Sequence, residues 1–164
     1  MIVKTVQDED YVNFKLPSMF ICTTKCSGKC WKELGLEAGL CQNSNVLRRK
    51  NIEIDNVVLC KRYEDNPLTE AICIGGLEPM DTFEDVLEFI RIFRKERACS
   101  DWIVIYTGYK EEEIPEKISE LKRFENIIVK FGRYDPINFP YPKNDPILGV
   151  RLSTSNQYAK VLKK

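Results

Sequence analysis

From residue 70 onward the chain alternates short apolar runs with longer amphipathic ones. Ala71 to Ile74 is apolar throughout and stops at Gly75-Gly76, which predicts a buried strand and a turn. Phe83, Val86, Leu87, Ile90 and then Phe93 or Arg94 recur at helical spacing with charges between them. Thr82 and Asp85 stand ahead of that stripe in the manner of a capping box. Trp102 to Tyr106 predicts a second buried strand, stopped by Thr107-Gly108. A charged helix is expected over about Glu112 to Phe124, with Pro115 in its first turn, and Ile127 to Val129 predicts a third core strand.

Before residue 70 the pattern is less regular. A short strand is expected near Ile2-Val3, in an otherwise mixed and polar segment reaching to residue 17. Ser18 to Thr23 is strand-like and runs into a turn rich in cysteine. Asp55 is placed to cap a helix over about Asn56 to Tyr63, with Val57, Val58 and Cys60 or Lys61 on successive turns. Asn66-Pro67 ends it. Arg48-Arg49-Lys50 reads as a solvated face. From Gly132 the chain changes again: Pro136, Pro140, Pro142 and Pro146 preclude long helices, so residues 132–164 are expected to form a cover.

Strand and helix in alternation imply an α/β fold with a mostly parallel sheet and right-handed crossovers. Ligands of such sheets sit at the carboxyl ends of the strands. The cysteine turn, Gly75-Gly76 and Thr107-Gly108-Tyr109 all follow strands, so they are expected to line one cleft. At 164 residues the chain is expected to form a single domain. Without repeats, eight complete βα units would need ~250 residues, so a closed barrel is not expected.

Composition narrows the chemistry. Lys+Arg 25 balances Asp+Glu 25, which gives no nucleic-acid footprint. No apolar run approaches the ~18 residues of a membrane span. Val6-Gln7-Asp8-Glu9-Asp10 interrupts any secretory h-region, so a cytoplasmic location is expected. Histidine is absent, which excludes Ser-His-Asp and Cys-His catalysis and any imidazole-ligated zinc.

Four of the seven cysteines crowd together: Cys22, Cys26 and Cys30 are spaced C-x3-C-x3-C, and Cys41 follows. In a reducing compartment such crowding points to metal ligation or reactivity rather than disulfides. Three convergent thiolates could hold a cubane iron–sulfur cluster with one iron open to a ligand. Four would suit a structural zinc site, although no C-x2-C pair is present. The plainest alternative is a set of incidental thiols, which is the expectation for Cys60, Cys73 and Cys99. The Gly75-Gly76-Leu77-Glu78-Pro79 turn could be only a tight turn before a helix. It could also expose backbone to a ligand, with Glu78 placed to receive an ammonium group.

Taken together and in this order, the two turns resemble those of the radical S-adenosylmethionine superfamily. Its cluster loop is typically C-x3-C-x2-C and its methionine-end loop is Gly-Gly-Glu-Pro. The likeness extends to the activating proteins of anaerobic ribonucleoside-triphosphate reductase, through Asp10-Tyr11-Val12-Asn13, Tyr106-Thr107-Gly108-Tyr109, Gly132-Arg133-Tyr134, Asp145-Pro146 and Arg151 with Ser153-Thr154-Ser155-Asn156-Gln157. The departures are an enlarged cluster loop over residues 22–41, an extra Leu77, and Lys130-Phe131 where that family has Asp.

The resemblance implies a partial, open βα barrel of radical S-adenosylmethionine type. Its cofactors are a [4Fe-4S] cluster and S-adenosyl-L-methionine. Cys22 and Cys26 would be ligands, with Cys41 or Cys30 the third. Gly75, Gly76, Glu78, Trp31, Asn43 and Thr107 would contact the cosubstrate. The implied activity is reductive cleavage of S-adenosylmethionine to a 5′-deoxyadenosyl radical, which generates a glycyl radical on a reductase-like partner. Reduced flavodoxin or ferredoxin would be the electron donor. The alternatives are a radical enzyme acting on another peptide or small molecule, and a non-catalytic four-cysteine zinc module.

Overall fold

A computed structural model describes residues 1–163, with Leu40 described in its backbone alone. The strands are β1 (Ile2–Val3), β2 (Thr5–Asp10), β3 (Ser18–Thr23), β4 (Ile52–Glu53), β5 (Ala71–Gly76), β6 (Trp102–Tyr106), β7 (Ile127–Phe131), β8 (Lys143–Asp145), β9 (Val150–Leu152) and β10 (Tyr158–Lys163). The α-helices are α1 (Lys29–Glu33), α2 (Ser44–Leu47), α3 (Asn56–Glu64), α4 (Phe83–Arg91) and α5 (Pro115–Leu121).

Six strands form a mixed sheet in the order β10-β7-β6-β5-β3-β2, and the sheet does not close into a barrel. Its centre, β3-β5-β6-β7, is parallel and runs in chain order. Antiparallel β2 and β10 form the two edges. The pairs β1-β4 and β8-β9 stand apart from it.

Side-chain alternation gives the sheet two different faces. Met19, Ile21, Ile72, Ile74, Ile103, Ile105, Ile127, Val129 and Phe131 point to one, where α3, α4 and α5 supply the rest of a buried core. Phe14, Ala71, Cys73, Val104, Ile128, Leu148, Leu152 and Ala159 form a smaller core on the other, with Phe20 and Tyr106 packed against it. Each crossover helix therefore covers the same face. The opposite face is left to loops and to the chain's last thirty residues.

Several local expectations are corrected. The box between Thr82 and Asp85 does not form: the Thr82 side chain caps nothing, and its hydroxyl donates to the Pro79 carbonyl, 3.4 Å away. The carboxylate that caps this entry is Glu78, accepting from Met80 N. Asp55 does cap α3, but its buried residues are Leu59, Cys60 and Tyr63, while Val57 and Val58 are exposed. The charged helix is shorter than expected, with a separate 3-10 turn at Glu111–Glu113 before α5. Two strands read as polar segment and cover, β2 and β10, belong to the main sheet. No helix among the described residues is long and apolar enough to cross a membrane.

Candidate functional site

The carboxyl ends of the parallel strands open onto one cavity of about 490 Å³. Register explains what faces it. Cys22 lies beside Gly75, Ile74 beside Ile105, and Tyr106 beside Lys130. Cys22, Gly75, Tyr106 and Lys130 thus form one row across four strands on the face away from the helices. At a strand spacing of ~4.8 Å the row is about 14 Å long.

Although Gly76 borders the cavity, Gly75 itself does not, because Tyr106 and Phe20 crowd the space beside it. A Cβ there would lie 3.1 Å from the Tyr106 Cβ and 3.3 Å from the Phe20 ring. Gly76 is held still more tightly: φ is 79°, and a Cβ would lie 2.0 Å from the Cys22 sulfur. The second glycine is required by the thiol beside it.

Cys22, Cys26, Cys30 and Cys41 all border this cavity. Two of the sulfurs, Cys26 and Cys41, accept a backbone N–H, while the Cys22 thiol donates to Thr23 O at 3.7 Å. Gly28 N is 3.4 Å from Cys26 Sγ and Asn43 N is 3.4 Å from Cys41 Sγ. Such donors favour thiolates. Burial opposes them, raising the Cys22 and Cys30 thiols and pushing Cys26 up to about 11. Among the described residues no three Cys, Asp or Glu side chains stand together as a metal-binding group. The four thiols therefore share a cavity without meeting at one point. Cys60 and Cys73 are buried away from the cavity, and Cys99 is partly exposed.

Glu78 borders the cavity, with its carboxylate hydrogen-bonded within the fold. Oε1 accepts from Thr107 Oγ1 at 2.6 Å and from Met80 N at 3.1 Å, and Oε2 accepts from Gly108 N at 2.8 Å. Burial raises its pKa against these donors. Its role in the fold is to fasten the turn after β5 to the turn after β6, and it takes the Thr107 hydroxyl with it. Asn43 is likewise engaged, its side-chain amide donating to the Gly76 carbonyl. Trp31, carried on α1, borders the cavity with Asn43, Glu78 and Thr107.

Lys130 is a member of the site that sequence reading passed over. It is 6% exposed, and Nζ donates to Gly132 O at 2.9 Å. Burial lowers its pKa to about 8, opposed by the nearby Glu78 carboxylate. The signal was present: a lone cation inside Ile127-Ile128-Val129-Lys130-Phe131 shares the cavity-facing parity of Ile128. Arg49 and Arg151 also border the cavity, so its charged lining is three cations and Glu78. Arg133 is 7% exposed and forms ion pairs with Glu113 and Glu33.

Four thiols bordering one cavity, two of them with an N–H donor and none with an imidazole neighbour, make a soft donor set. That chemistry fits an iron–sulfur cluster, and also zinc. The loop from Lys29 to Lys50 contains no buried residue among those described, so little packing resists bringing Cys30 and Cys41 inward. No protein-family model matches the chain, and the comparisons with curated proteins and with solved structures return no match.

Proposed function

We propose that this chain is a radical S-adenosylmethionine enzyme whose product radical is passed to a glycine of an anaerobic ribonucleotide reductase-like partner. One observation carries the reading. The ends of β3, β5 and β6 deliver a thiol, a glycine ledge and a Thr-Gly turn to the same cavity, with three more thiols from the loop between β3 and α3 around it. Chain-ordered parallel strands, with all crossover helices on one face, are the arrangement expected of an open part of a βα barrel.

The chemistry that a reduced [4Fe-4S] cluster supplies when bound is one-electron cleavage of S-adenosylmethionine to methionine and a 5′-deoxyadenosyl radical. Cys22 and Cys26, with Cys41 or Cys30, would hold it. Gly76 lacks the side chain that would crowd Cys22, and Asn43 holds the ledge in place. Trp31 and Tyr106 offer flat apolar surface. Lys130 and Arg49 supply positive charge facing thiolates. A cavity of about 490 Å³ lies within the usual range for a small-molecule site. Its open side suits a partner's loop, and a flavodoxin or ferredoxin is the class of donor such a site requires.

The test is anaerobic reconstitution with iron and sulfide, reduction, and addition of S-adenosylmethionine. A brown protein that forms 5′-deoxyadenosine supports the reading. A colourless protein that retains zinc and cleaves nothing overturns it. Cys30→Ala and Cys41→Ala, reconstituted separately, identify the third ligand by loss of the cluster absorbance.

A further inference from the structure

We propose that α1 is a detachable cover over the cavity and that Arg133 and Glu33 are the positioning residues that latch it. This holds whatever group fills the cavity. α1 carries Cys30 and Trp31, both of which border the cavity, yet it contains no buried residue. Apolar packing therefore contributes little to holding it down. Glycines flank it on both sides: Gly28 has φ 72° and Gly35 has φ 63°. Left-handed glycines are suited to hinges, because they swing through backbone space closed to other residues.

What fastens the helix is polar. Arg133, rooted after β7, gives both amino groups to Glu113, with Nη1–Oε2 and Nη2–Oε1 each 2.7 Å. It gives Glu33 on α1 one hydrogen bond, Nη2–Oε1 at 2.9 Å. Nε lies 2.8 Å from the other Glu33 oxygen but makes no hydrogen bond. The two partners are thus unequal. If α1 swings out, Arg133 keeps its two bonds to Glu113 and no buried charge is orphaned, so opening is cheap. Lys29 adds a looser contact, 3.6 Å from Glu113 and 4.6 Å from the centre of the Tyr109 ring. The Cys30 sulfur rests against Gly108 on the body, where a Cβ would lie only 3.1 Å from it. Ser27, just before the first hinge, is pinned by Asp81, whose Oδ2 accepts its N–H at 2.5 Å. The body side of the hinge is thereby fixed, and Lys32 on α1 reaches back across it to donate to Ser27 O at 2.7 Å, an exposed bond that water replaces when the cover turns.

The experiment is iodoacetamide labelling of the metal-free protein, read cysteine by cysteine by peptide mass spectrometry. Cys26 and Cys41 lie outside the two hinges and serve as internal references. In Glu33→Gln the labelling rate of Cys30 should rise about fivefold at low salt, the equivalent of ~1 kcal/mol for a partly exposed ion pair, while Cys26 and Cys41 stay unchanged. In the native chain 0.5 M salt should produce only part of the same rise, because Glu33 is exposed but Arg133 is buried, and it should add little to the variant. Equal Cys30 rates in both proteins at low salt would overturn the latch. A uniform rise at all three cysteines would overturn it as well, because it would mean a loosened loop rather than a hinged cover. Neither readout depends on S-adenosylmethionine cleavage, so the latch and the enzymatic reading can fail separately.

Discussion

The side-chain amide of Asn43 donates to the backbone carbonyl of Gly76, tying the residue two places after Cys41 to the glycine that abuts Cys22. One hydrogen bond thus links the two thiol-bearing walls of the cavity. Asn43→Ala should lower stability to urea by about 1 kcal/mol, the usual worth of such a bond. It should also raise the alkylation rate of Cys41 while leaving Cys60 unchanged.

Gly76→Ala tests the ledge. The added Cβ meets the Cys22 sulfur at 2.0 Å, and the backbone angle disfavours any side chain. A loss of at least ~2 kcal/mol is expected in denaturant titration. Gly39→Ala is the control, since nothing lies within 4 Å of a Cβ there.

Glu78 is expected to act through the fold. Glu78→Ala leaves the buried Thr107 hydroxyl and the N–H groups of Met80 and Gly108 without their acceptor. A loss of about 2–4 kcal/mol follows from the number of partners abandoned. Glu78→Gln keeps acceptor capacity at one oxygen and should cost clearly less, as thermal unfolding will show.

Burial of the Lys130 ammonium is a debt within the fold. Its pKa falls from 10.5 to about 8, so between those values the unfolded chain binds more protons than the folded one. Stability from this group should therefore rise as pH climbs from 8 to 10.5. Lys130→Met should remove that slope and stabilise the metal-free protein at pH 7 by about 1–3 kcal/mol. A variant less stable than the native chain would contradict this.

Glu113 titrates in the opposite sense. Hydrogen bonding from Arg133 lowers its pKa from 4.5 to about 2. Its contribution is complete above 4.5 and is lost as pH falls through about 2. In acid titrations followed by circular dichroism, Glu113→Gln should lose less stability than the native chain across that window.

The parallel core was legible because its signals are local. Ala71-Ile72-Cys73-Ile74 and Trp102-Ile103-Val104-Ile105-Tyr106 are uninterrupted apolar runs, and a strand buried on both faces needs just that. The edge strands were not legible for the same reason. Thr5-Val6-Gln7-Asp8-Glu9-Asp10 is a strand whose pairing with β3 leaves much of it in water, so no apolar run marks it. The cavity thiols were visible as a cluster in the sequence, but their spread around a volume was not, since Cys30 sits on the five-residue α1 and Cys41 just after a 3-10 turn at Ala38–Leu40, neither of which has a readable periodicity. Arg133 was hidden because its partners lie 20 and 100 residues away.

The order of the central strands matters during synthesis. Each parallel strand pairs with the one made just before it, so the sheet can grow outward as the ribosome delivers it. Yet Asp145, whose carboxylate accepts from Leu148 N and Ala159 N, ties together a segment that is made only after all four central strands. Until then the thiol-bearing face has no roof, and a nascent chain halted before that point would present its sulfurs to whatever metal or oxidant the cell holds.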